Sequence, residues 1–133
     1  MNFDMDFAVR NFYVTLTGVP TTLLITAVAV LVGFPLAFFI ALLRFNKKNI
    51  ISEICALYIS LFRGIPVIVL IFLFYNSLPE VLKWVVQCLH IDLDVYAIDP
   101  LYYAFFVFIL TASASFSEMW KTGLSSVGRG QLE

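Results

Sequence analysis

Charge is placed in this chain so that long stretches carry none. No Asp, Glu, Lys or Arg falls between Arg10 and Arg44, only Arg63 falls between Glu53 and Glu80, and none falls between Asp99 and Glu118. A helix that crosses a bilayer needs about 20 mainly apolar residues, with a range of about 17–25, so each gap has room for one crossing. Composition agrees: 62% of the residues are hydrophobic and 13% charged, against about 45–50% and about 25% in a soluble domain. So few charges could not cover a water-facing surface of this size. The fold class read from this pattern is all-α, a multi-pass transmembrane helical bundle forming one domain over residues 1–133. Its spans are expected at 20–43, 51–78 and 100–117, with a short amphipathic helix on the outer surface between the second and third.

Each span has its own punctuation. Pro20 suits a first helical turn, where its missing N–H costs nothing. Pro35, inside the first span, removes a backbone hydrogen bond and predicts a kink there. Met1 to Val19, with Phe3, Phe7, Phe12 and Leu16, reads as an interfacial stretch. Arg44, Lys47 and Lys48 form a basic turn that marks the cytoplasmic side. Phe62-Arg63-Gly64-Ile65-Pro66 interrupts the second apolar run. After it, Leu82, Val85, Val86 and Leu89 follow helical spacing among Glu80, Lys83 and the acidic residues Asp92, Asp94 and Asp99. Pro100 opens the third span, with Tyr102 and Tyr103 at the level of an outer aromatic belt. Charge bias supports the same topology: Arg44, Lys47, Lys48, Lys121 and Arg129 would lie inside, Arg10 and Lys83 outside. The expected location is the cell (cytoplasmic) membrane, with the N-terminus outside and the C-terminus inside.

Several function classes drop out. Net charge −1 with no basic block offers no nucleic-acid surface. There is no phosphate loop ending in Gly-Lys-Ser or Gly-Lys-Thr and no nucleophile elbow, and the single histidine, His90, cannot make a His-pair zinc site. Cys55 and Cys88 lack the close spacing of a metal or dithiol site. No enzyme, metal or cofactor is therefore expected, and any ATP would be hydrolysed by a separate subunit.

Two charges within or beside the apolar runs carry the functional reading. At about 1.5 Å per residue, Arg63 lies ~20 Å into its segment, where an unpaired guanidinium is costly. With Gly64 and Pro66 it is expected to anchor the break, satisfying carbonyls that the break exposes. Glu118 sits at the inner end of the third span, with Lys121 three residues on and able to pair with it on one helical face. The hydroxyl series Thr111, Ser113, Ser115 and Ser117 precedes it, so Glu118 could end a polar path built with Ser113, Ser115 and Ser117. Small hydroxyl residues also serve helix packing.

Together these features resemble the membrane subunit of ABC importers of polar amino acids, the histidine, glutamine and cystine type. Three stretches carry the resemblance: Leu16-Thr17-Gly18-Val19-Pro20-Thr21-Thr22-Leu23-Leu24-Ile25-Thr26 continuing through Gly33 to Arg44; Leu61-Phe62-Arg63-Gly64-Ile65-Pro66 with Phe72-Leu73-Phe74-Tyr75 and Leu78-Pro79; and Glu118 with Lys121, Gly123, Ser126, Val127, Gly130, Gln131 and Glu133. The match departs from the family pattern at Ile65, Ser115, Lys121 and Gly128.

The resemblance implies the N-terminal part of a type I ABC importer permease fold, working by alternating access. It implies an ATP-binding ABC subunit, an extracellular solute-binding protein and a second permease subunit, identical or not, as partners within membrane lipid. It also implies that Gly123, Gly130, Gln131 and Glu133 lead into coupling with the ATPase. Glu133 aligns with the glutamate that opens the family's Glu-Ala-Ala loop, so the sequence reads as a permease cut where that loop begins. The alternative is a small three-span protein that regulates or stabilises a partner by helix packing.

Overall fold

The computed structural model describes residues 4–45, 49–91 and 94–126, and all regular structure among them is helical. Helix α1 (Met5–Leu16) is opened by Asp4, whose carboxylate accepts the Phe7 N–H at 3.1 Å, satisfying one of the donors that a helix start leaves free. Helix α2 (Val19–Leu43) carries Pro20 in its first turn and continues through Pro35. Helices α3 (Ile50–Gly64), α4 (Val67–Cys88) and α5 (Pro100–Ser126) follow, and a 3-10 turn at Val95–Ala97 joins the last two. Among the described residues, 3 stretches are long and apolar enough to cross a membrane: Met5–Leu43, Val67–Cys88 and Pro100–Ser126.

The seam between α2 and α5 is the main packing surface. Ala29, Gly33, Ala37 and Ala41 recur every fourth residue on one face of α2, and all are buried. Lipid tails are as apolar as the side chains they would replace, so membrane helices associate through close packing, which small residues permit. The approach is tightest at Gly33, where a Cβ would stand 3.1 Å from both Ala112 Cβ and the Ile109 carbonyl oxygen. Opposite lie Val107, Ser113, Ala114 and Ser117 of α5, all buried. One end of the seam is closed by Trp120, whose ring centroid lies 5.0 Å from that of Phe34 and 5.1 Å from that of Phe38. Phe74 against Phe106 and Tyr75 against Tyr103 hold α4 to the other part of α5, at 5.6 and 5.8 Å. The hydroxyls of Thr22, Thr26 and Thr111 donate to the carbonyl four residues back, so they need no partner in apolar surroundings.

The second apolar run is two helices rather than one span over 51–78. Ile65 is extended (φ −101, ψ 132) and Pro66 follows at φ −56, ψ 136. The proline ring clashes with a helical residue before it, which drives Ile65 out of the helix. Gly64 is helical, with nothing within 4 Å of where its Cβ would stand, so the break belongs to Pro66 and not to glycine freedom. The stretch suited to crossing begins at Val67, beyond the break, and α3 with its 15 residues is shorter than a crossing requires.

Two further boundaries differ from expectation. Among the described residues no separate amphipathic helix follows α4: Leu78, Leu82, Val85 and Val86 extend its half-buried stripe, and the helix runs through Pro79 to Cys88. Helix α5 continues beyond Ser117 to Ser126, because the Phe34 and Phe38 contacts of Trp120 seat its last turns on α2.

His90 explains how α4 ends. Its φ of 55 is left-handed, its N–H reaches the Gln87 carbonyl at 3.2 Å, and the Ile91 N–H reaches Val86 at 3.1 Å. These two bonds define a Schellman cap, whose left-handed position usually holds glycine. His90→Gly is expected to stabilise the chain by about 1 kcal/mol, and His90→Val to destabilise it, in thermal unfolding of the purified protein.

Much apolar surface stays uncovered. Only 6% of the crossing window of α4 is buried, and Ile68 and Phe72 are each 72% exposed, as suits faces that meet lipid or further protein.

Candidate functional site

Arg44 caps the C-terminus of α2, where a cation is favoured by the carbonyl end of the helix. Its Nη1 donates to Oε1 of Glu118 on α5, forming an ion pair between helices distant in sequence. The side chains are 11% and 31% exposed, so the pair is half sheltered and binds the same ends of α2 and α5 that Trp120 closes. Lys121, one turn from Glu118, is not the hydrogen-bonded partner. Local spacing could not reveal this, but one sequence signal does: Arg44 and Glu118 each end an uncharged run on the face assigned as inner.

Beside the pair lies a cleft of ≈ 450 Å³ lined by Arg44, Ala56, Ile59, Ser60, Arg63, Gly64 and Glu118. Arg63 is in the last turn of α3, and helical side chains lean toward their own N-terminus, which directs it back over Ser60. It does not anchor the break. Among the described residues its guanidinium makes no hydrogen bond, to the carbonyls of the break or elsewhere, and no ion pair; it is exposed and lines the cleft.

The serines do not form one polar stripe. Steps of two residues turn by about 200° on a helix, so alternate positions fall on opposite sides. Ser113 and Ser117 are fully buried at 0% exposure, whereas Ser115 is exposed. Ser113 Oγ donates to the Leu110 carbonyl at 2.9 Å, and Ser117 Oγ to Ala114 at 2.8 Å. The Tyr58 hydroxyl joins Ser113, lying 2.7 Å from both its Oγ and the Leu110 oxygen. This polar lock of α3 onto α5 was not singled out in the sequence; a tyrosine inside an apolar helix, whose hydroxyl needs a partner, was its signal.

Gly123 is helical within α5, with open space around it. Gly130, Gln131 and Glu133 lie outside the described residues, as do Lys47, Lys48 and Arg129. No group of His, Cys, Asp and Glu that could hold a metal ion occurs among the described residues. Away from the cleft, Tyr96 fastens the α4–α5 connection: its hydroxyl donates to Glu80 at 2.7 Å, and the Lys83 ammonium sits 5.6 Å from its ring centre. Donation to the Glu80 carboxylate holds the Tyr96 phenol above its usual pKa range.

No family model matches the chain. Curated relatives match nearly all of it. An L-cystine transport system permease protein of Bacillus subtilis is 34% identical over 98% of this chain, which covers 52% of that protein. A nopaline transport system permease protein of Agrobacterium fabrum is 29% identical over 98% of the chain and 53% of its own length. A crystal structure of an amino acid ABC transporter with histidines shares the fold, with a TM-score of 0.71 at 24% identity over 98% of this chain and 55% of that one. The chain thus spans about half the length of the relatives it matches.

Proposed function

We propose that this chain, whose homologues are permeases of amino-acid ABC transport systems, forms part of a membrane subunit lining an amino-acid import path by alternating access. The observation that carries the reading is the charged cleft among α2, α3 and α5. Two guanidinium groups and a carboxylate are gathered there beside a helix break, and ionisable groups that face a cavity within or beside apolar spans are a mark of substrate routes. Glu118 belongs to this path. Ser113 and Ser117 support it from within the α5 packing rather than by lining it.

In this reading the chain performs no chemistry on its substrate. A separate ABC subunit hydrolyses ATP, an extracellular solute-binding protein delivers the amino acid, and a second permease subunit completes the path. The N-terminus lies outside and the end of α5 inside the cell membrane, with residues beyond α5 approaching the ATPase.

Deleting the gene should abolish uptake of at least one labelled amino acid from a panel of cystine, glutamine, histidine and arginine, and restoring it should return that uptake. Unchanged uptake across the panel would overturn the proposal.

A further inference from the structure

The cleft has an imbalance of charge. Glu118 is committed through Oε1 to Arg44, while Arg63 makes no hydrogen bond or close ion pair among the described residues. The site therefore sets two guanidinium groups against one carboxylate, in segments whose neighbours are apolar, and such a surplus cation is retained where water or an anion meets it. The space next to it is open: nothing stands within 4 Å of a Cβ position on Gly64, and the Ser60 hydroxyl lines the same wall. A volume of ≈ 450 Å³ falls within the range of small-molecule sites, about 300–1,000 Å³. A guanidinium offers a planar fork of donors that matches a carboxylate with two parallel hydrogen bonds. In the same lining, Glu118 Oε2 makes no hydrogen bond among the described residues and is available to an ammonium.

We propose that Arg63 is a binding residue that takes the carboxylate of a zwitterionic amino acid in this cleft, Ser60 lying beside it and Glu118 facing the ammonium end. The inference rests on the permease reading for its ligand class and deepens it. Arg63 becomes a contact of the path rather than a support for the break, and Glu118, already paired, becomes the weaker contact.

The test uses the unmodified chain in phosphatidylcholine nanodiscs, with phenylglyoxal as an arginine reagent and peptide mass spectrometry as the readout. Arg63 should react about tenfold faster than Arg44, whose guanidinium is held by Glu118. L-Histidine or L-cystine should slow the reaction at Arg63, whereas histamine and cystamine, which lack only the carboxylates, should not. Equal reaction of the two arginines, protection by the amines as strong as by the amino acids, or no protection by either would each overturn the proposal. The uptake experiment separates this from the parent reading. Lost uptake on deletion without carboxylate-selective protection removes the role of Arg63 alone; selective protection with unchanged uptake removes the permease reading and leaves the site.

Discussion

Glu118→Gln is expected to lower the unfolding midpoint of the purified chain, Arg44→Gln to lower it similarly, and the double variant to recover most of the loss. The Arg44 side chain is 11% exposed, so removing its carboxylate strands a guanidinium largely out of water. One-sided removal of a fully buried partner costs about 3–5 kcal/mol. Because Glu118 is 31% exposed, screening reduces the expected cost to about 1–3 kcal/mol. Lys121→Gln, which leaves the pair intact, should stay within about 0.5 kcal/mol. Additive losses in the double variant would show that the two groups are not coupled. The same series tests the path: a double variant that regains stability but not uptake would place the charge of Glu118 in transport itself.

The number of long apolar stretches was legible because charge exclusion acts on every residue of a span. The break at Pro66 was legible for a local reason, the restriction that proline places on the residue before it. What failed was anything requiring one helix to know its neighbour. The pairing of Glu118 with Lys121 followed from one helix considered alone, whereas Arg44 arrives from α2 through tertiary packing. The serine stripe failed for a simpler reason, since alternation suits a strand and not a helix. Arg63 was assigned to the carbonyls of the break because the open cleft that receives it exists only once α2, α3 and α5 are assembled. His90, considered in the sequence only as a metal ligand, occupies the left-handed cap of α4, a role that no local hydropathy pattern announces.

Gly33→Leu is expected to separate α2 from α5. A Cβ at this position already falls 3.1 Å from Ala112 Cβ and the Ile109 carbonyl oxygen, and 3.3 Å from the Ser113 nitrogen. Two of these atoms are backbone and cannot rotate aside, so one helix must move. Gly33→Ala should need a shift of only a few tenths of an ångström and cost about 1 kcal/mol; a leucine adds atoms that no such shift accommodates, at about 3 kcal/mol or more. The readout is optical. Trp120 bridges α5 to Phe34 and Phe38 of α2, and with Trp84→Phe it becomes the sole tryptophan of a chain that has 2. In that background Gly33→Leu should shift its emission to the red and lower the unfolding midpoint, whereas Gly33→Ala should leave the emission near its original wavelength. Unchanged emission with leucine would mean that the small-residue face of α2 does not set the helix separation, and that the aromatic clamp at Trp120 holds the seam by itself.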